Sequence, residues 1–434
     1  MTSSAKSVPR RPYGSKFKNS RLPSDLPIIG LGCSSFSTFF WTEQEQKEMM
    51  ISSSSSDWTP EGMDRSHPQV QEWIATIRYA VEECGITLLD TAPWYGHGTS
   101  EVIIGWAMEE MLSTITSSDN DKKDTTTKAI QRSDLVINTK VGRYEADPQK
   151  QFDFSKQATL QSVERSIRRM NCGYIDVLQL HDSEFAPSLD VLLQETIPAM
   201  IECRTKGYCK ALGMTGYPLQ TQFQILQRTR EVLGDDDVWD QSLTYGHYNL
   251  VNQSLFTKPL SSPDNNNQQY ESFAAYCEQH SLGLMAAAPL NMGLLTNNPL
   301  PAWHPASDEL KAACRTAAAT MEEVDIATIA IVYALANPQV PCTVLGMKNV
   351  AQVATSQKLA LRFRNQNEND NPKERLKQVL TPDEYKAWQA VMDPIHGPFA
   401  TVWKNGTNVW DGVLEATKFW QQVEGQDQEE WHWE

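Results

Sequence analysis

Eight short apolar runs rich in Val, Ile and Leu alternate along the chain with longer stretches whose apolar residues recur at helical spacing, and few folds accommodate that rhythm. The runs cover residues 27–33, 87–90, 135–140, 175–181, 209–215, 239–245, 284–288 and 343–347. Helical periodicity predicts helices between them, including 69–83, 160–170, 188–206, 220–233, 270–279, 326–336 and 350–359. A strand followed by a helix, repeated eight times, builds a parallel sheet covered by helices. The expected architecture is therefore α/β, a closed (β/α)8 TIM barrel, with a doubly wound open sheet as the competing arrangement.

A barrel gives each interruption of the pattern a meaning. Loops that follow strands open on the face where sites are built, and loops that precede strands open on the opposite face. The insertion at residues 37–67 follows the first strand and is expected to border the site, whereas the one at 113–133 precedes the third strand and is expected to be dispensable. Residues 1–15 are read as a disordered arm and 16–395 as the barrel. Residues 396–434 are read as a C-terminal extension packing on it, because Trp410, Val413, Leu414 and Trp420 recur at helical spacing.

Charge and composition narrow the function class. With 38 Lys and Arg against 54 Asp and Glu, the formal charge is −16, which repels phosphate backbones and anionic lipid. No run reaches the length of a membrane span, so no nucleic-acid or membrane partner is expected, and the reading is a cytoplasmic monomer or homodimer. The basic, Ser-rich N-terminus leaves organelle targeting open. The eight cysteines form no C-x-x-C pair and the eight histidines no metal-binding spacing, so no metal is expected.

Asp90, Lys140 and His181 each end an expected strand, and Tyr95 lies in the loop just after Asp90. Barrel closure gathers them on one rim. A Tyr, a Lys, an Asp and a His together suit proton transfer coupled to hydride transfer at a carbonyl or carbinol carbon. Tyr95 would be the acid/base, with Lys140 favouring its phenolate, Asp90 holding that lysine charged, and His181 hydrogen-bonding the substrate oxygen.

The segments GITLLDTAPWYGHGTSEVIIG, VINTKVG, YIDVLQLHD, KALGMTGYP, APLNMGLL and VLGMKNVAQV occur in that order. Together they resemble the aldo-keto reductases, NAD(P)-dependent barrel oxidoreductases, over roughly residues 16–395. The resemblance implies that Asp90, Tyr95, Lys140 and His181 are the catalytic tetrad. The block FDFSKQATLQSVERSIRRMNCGYIDVLQLHDSEFAP resembles the sugar-oxidising branch of plant L-galactose dehydrogenase and the aldose 1-dehydrogenases. That likeness implies oxidation of the anomeric carbon of a small free sugar to its lactone, as in ascorbate synthesis. Alternatives are an NADPH-dependent carbonyl reductase and a low-activity cofactor-binding regulatory subunit.

The resemblance also implies a cofactor surface. Gly32 and Cys33 would approach the dinucleotide where the first strand ends. Thr215 takes the place of a serine at the nicotinamide carboxamide, Gly216 that of an asparagine, and Tyr245 that of a glutamine. Ala287 stands where an aromatic residue often stacks on the ring; Ala288, Leu290 and Met292 would lie along the pyrophosphate. Gly346, Met347 and Gln352 occupy positions at which NADP-preferring members carry a Lys-Ser pair and an Arg, and Ser356 faces adenine. Without the planar arginine fork NAD is favoured, while Lys348 leaves NADP possible.

Overall fold

The computed structural model describes residues 6–37, 48, 59–113, 130–234, 238–261, 269–301, 304–321, 323–367, 371–410, 415, 416, 418 and 419. Strands β1 (Arg10–Pro12) and β2 (Asp25–Pro27) form a hairpin, β9 (Leu260–Ser261) and β10 (Gln269–Tyr270) form another, and the remaining eight strands close a barrel. These are β3 (Ile29–Gly32), β4 (Leu88–Asp90), β5 (Val136–Val141), β6 (Ile175–His181), β7 (Cys209–Gly216), β8 (Gln241–Tyr245), β11 (Gly283–Ala287) and β12 (Thr343–Gly346). They pair in parallel around the ring in the order β11-β12-β3-β4-β5-β6-β7-β8, closed by β8 against β11. The architecture is the expected closed eight-stranded barrel and not the competing open sheet.

Every residue of β5 and β6 is buried, which is why these segments read as apolar runs rather than as an alternating pattern. Helices cover them, most overlapping the ranges expected from periodicity. Among them are α1 (Pro68–Arg78), α2 (Thr99–Ser113), α3 (Lys156–Met170), α4 (Ile197–Thr205), α5 (Leu219–Leu233), α6 (Phe273–Gln279), α7 (Asp308–Thr320), α8 (Ile326–Ala336) and α9 (Val350–Leu361). Ser155 caps α3 by accepting from Ala158 N, and Asn171 ends it in the left-handed conformation.

The N-terminal arm requires a correction. Residues 1–5 lie outside the described set, but residues 6–15 are ordered instead of forming a loose arm. Arg11 is 2 % exposed and donates to the carbonyls of Leu335, Asn337 and Val340, at and beyond the C-terminal end of α8, where the helix dipole favours a cation. Tyr13 is fully buried, and its hydroxyl donates to Gln241 Oε1 at 2.7 Å. A Cβ on Gly283 would lie 2.4 Å from that hydroxyl, so the start of β11 admits only glycine beneath Tyr13.

Past the barrel, α10 (Pro372–Val379), α11 (Pro382–Val391) and α12 (Ala400–Asn405) lead into the end of the chain. Phe399 and Val402 are buried, and Trp403 Nε1 donates to Val251 O at 2.7 Å. Trp410 stacks on Tyr217 with centroids 4.7 Å apart and planes at 9°, and Phe419 sets its edge on Phe152 and Phe185. Val413, Leu414 and Trp420 lie outside the described residues, as do most of the insertions at 37–67 and 113–133. Among the described residues, no helix is long and apolar enough to cross a membrane.

Candidate active site

Asp90 and His181 are the last residues of β4 and β6, and Lys140 is one short of the end of β5. Their strands are consecutive in the ring, so the three side chains meet at the rim. Lys140 Nζ donates to Asp90 Oδ1 at 2.6 Å and to Thr91 O at 2.7 Å. The same ammonium lies 4.7 Å from the centre of the Tyr95 ring. The His181 ring stands edge-on to Tyr95, with centroids 6.2 Å apart. A polar chain continues down the barrel axis: Gln179 Nε2 donates to Asp90 Oδ2 at 3.0 Å, Gln241 Nε2 to Gln179 Oε1 at 3.3 Å, and Tyr13 to Gln241. Asp90 is thus held on both oxygens.

Burial would discharge Lys140, but Asp90 and then Tyr95 outweigh it and hold the ammonium above its ordinary range. Tyr95 departs from expectation. Burial raises its phenol more than Lys140 lowers it, and Asp90 adds to the rise, so the net shift is upward. Lys140 opposes the effect of burial without overcoming it in the chain alone. Burial also drives His181 down to about 3, with Asp182 pulling upward and Lys140 and Arg143 downward, so its imidazole is neutral at pH 7. His181 Nδ1 is buried and has no hydrogen-bond partner.

Several rim residues were not singled out from sequence. Arg143 Nη1 pairs with Asp182 Oδ2 at 2.8 Å, and the guanidinium lies 4.0 Å from the centre of the Trp94 ring. Glu184, 3 % exposed, accepts from Tyr217 N through Oε1, while Oε2 has no partner. Burial and then Asp182 push its carboxyl up to about 8. Asp182 and Glu184 stand one and three residues after His181 in HDSEF, and that proximity was the available signal.

Of the expected cofactor positions, Gly32, Cys33, Thr215 and Gly216 are buried at the strand ends, and Tyr245 is 36 % exposed. Ala288, Asn291, Met292 and Gly293 all have positive φ, which bends the chain sharply around Leu290, and Asn291 Nδ2 is buried without a partner. Gly346, Lys348 and Gln352 are exposed. Gln352 Oε1 accepts from Lys348 N at 2.9 Å. Met347 and Ser356 are 1 % and 3 % exposed, Ser356 because Val353 and Ala360 share its inward helical face. Among the described residues, no group of three or more His, Cys, Asp and Glu is placed to hold a metal ion.

The model of the aldo/keto reductase family matches residues 58–369. The chain belongs to the aldo/keto reductase family. Aldo/keto reductases are oxidoreductases that bind nicotinamide cofactors. The chain is 33% identical to L-galactose dehydrogenase of Arabidopsis thaliana over 282 residues, 64% of this chain and 75% of that protein. It is 29% identical to D-arabinose 1-dehydrogenase of Saccharomyces cerevisiae, over 60% of this chain and 67% of that one. The solved glycerol dehydrogenase AKR11B4 of Gluconobacter oxydans shares the fold, with a TM-score of 0.55 at 20% identity over 91% of this chain and 97% of that one.

The rim suits a nicotinamide dinucleotide. Unpartnered polar atoms of His181, Glu184 and Asn291, together with the open face of Tyr245, offer contacts to a planar polar ring. Beside the loop at Gly293, Lys311 and Arg315 line a cleft of about 380 Å³ that suits phosphate.

Proposed function

We propose that this aldo/keto reductase oxidises the anomeric carbon of a free aldose to the lactone with NAD, L-galactose being the first substrate to test, and serves ascorbate synthesis. The observation that carries this reading is the Lys140 ammonium, fixed by Asp90 at 2.6 Å against the ring of Tyr95. Tyr95, as a phenolate whose charge Lys140 stabilises, takes the proton of the anomeric hydroxyl and becomes the neutral phenol. His181, neutral, holds the sugar oxygen by hydrogen bonding. Thr215 and Tyr245 hold the nicotinamide, Leu290 and Met292 flank the pyrophosphate, and Gly346, Lys348 and Gln352 border the adenosine. When bound, the oxidised ring supplies the acceptor for the hydride leaving C1. Trp94, with Arg143 and Asp182 beside it, offers the apolar face and charged hydrogen-bonding groups that a sugar ring takes. The sugar-oxidising activities named for the plant and yeast relatives support the same direction.

The test is a panel of free aldoses and simple aldehydes with NAD and NADP side by side. Reduction of NAD with L-galactose above the other sugars is expected, and failure to oxidise any aldose would remove the proposal. A second reading, carbonyl reduction with NADPH, is favoured by the cations Lys311, Arg315 and Lys348 near the rim. Turnover of aldehydes with NADPH and none of sugars with NAD would establish it.

A further inference from the structure

The carboxyl of Glu184 has no role in the proton transfer described above, yet it is a buried acid on the rim with one oxygen unsatisfied. It is 3 % exposed and stands in the short turn Ser183–Phe185 that follows β6. Oε1 is committed, accepting from Tyr217 N at 3.3 Å. Oε2 is buried and has no partner. That oxygen points at a space only glycine could leave: a Cβ on Gly216, the last residue of β7, would come within 2.9 Å of Oε2. Thr215, the neighbour of Gly216, pairs in register with His181. The orphaned oxygen therefore overhangs the end of β7, one residue from the strand pair that carries His181.

A buried carboxylate with an unmet oxygen beside a second acid is costly, and the same group as a neutral acid becomes a hydrogen-bond donor. With Oε1 accepting from a backbone N–H, the proton resides on Oε2. We propose that Glu184 is a ligand-binding residue held as a neutral acid, its Oε2–H donated to the carbonyl oxygen of a planar carboxamide lying over Thr215 and Gly216. Resting on the dinucleotide reading above, this assigns Glu184 to the nicotinamide carboxamide, with the missing Cβ of Gly216 leaving room for the Glu184 carboxyl at the end of β7.

The groups acting on Glu184 are Asp182 from the end of β6, Arg143 from just past the end of β5 and the backbone of Tyr217 after β7; His181 neighbours Asp182 in sequence, and the His247 ring lies 4.7 Å from that of Tyr217. Burial drives His181 and His247 down to about 3 and about 4, and Asp182 is held below the usual carboxylate range by His181 and Arg143 against the effect of burial. Farther in, Tyr95 and Lys140 are displaced upward. Loss of a proton near pH 8 therefore belongs to Glu184.

The experiment measures NADH binding to the intact chain by calorimetry between pH 6.5 and pH 9.5, with ADP-ribose, which lacks the carboxamide, as a second ligand. NADH affinity is expected to fall about tenfold from pH 7 to pH 9 as the donor proton is lost, while ADP-ribose affinity stays level. Glu184→Gln keeps an N–H donor in the same place and should bind NADH with a level profile. Parallel profiles for NADH and ADP-ribose in the native chain, or a native-like fall in E184Q, would overturn the assignment to Glu184 while leaving the dinucleotide reading intact. Absence of binding by either ligand would remove both.

Discussion

The Lys140 ammonium lies 2.6 Å from Asp90 Oδ1 inside the mouth of the barrel, and both residues are at most 3 % exposed. Neither charge is affordable there alone. Lys140→Met leaves a buried carboxylate without its counter-ion and should cost about 3–5 kcal/mol of unfolding free energy, read by urea denaturation. The double variant Lys140→Met with Asp90→Asn should regain much of that stability while remaining inactive. If the two losses simply added, the pair would not be energetically coupled.

Tyr95→Phe removes the proton-transfer oxygen and keeps the ring that faces Lys140 at 4.7 Å. Turnover should fall by about 10²–10⁴, with NADH affinity changed less than threefold. Survival of more than a tenth of the activity would reassign the acid/base.

How far this site was legible in the sequence depended on the distance over which each signal acts. Asp90, Lys140 and His181 were readable because a buried parallel strand announces itself as an apolar run, and a charged residue at its end is conspicuous. The net upward shift of Tyr95 was not readable, because it sets burial against Lys140 and depends on packing from all sides. Tyr13 was missed for a related reason. Its segment is polar and short, and its order comes from Gln241, 228 positions away, and from carbonyls at the end of α8 that capture Arg11. Glu184 sits in a quoted motif, but only the space over Gly216 and the orphaned Oε2 distinguish it from a surface acid.

His181 makes stability depend on pH in a defined direction. Its native value is near 3 against the ordinary 6.5, so between those limits the unfolded chain binds a proton that the folded one refuses. Stability then falls as pH drops below about 6.5, by about 2 kcal/mol from this group at pH 5. His181→Asn should lessen that slope in urea unfolding at pH 7 and pH 5. An equal slope in the variant would place the acid sensitivity elsewhere, and His247, brought down to about 4, is the next group to replace.

Gln179 bridges the interior, donating to Asp90 at 3.0 Å and accepting from Gln241 at 3.3 Å. Gln179→Leu preserves the approximate volume and strands two buried polar atoms, Asp90 Oδ2 and Gln241 Nε2, at about 1–3 kcal/mol each. Gln179→Leu with Gln241→Leu removes one of those orphans but strands the Tyr13 hydroxyl, so Tyr13→Phe is needed to complete the apolar replacement. The triple variant should be more stable than Gln179→Leu alone, while Asp90 still lacks its second donor. If Asp90 orientation is what the chain of amides supplies, the triple variant recovers stability without recovering kcat. Recovery of both would limit Gln179 to a packing role.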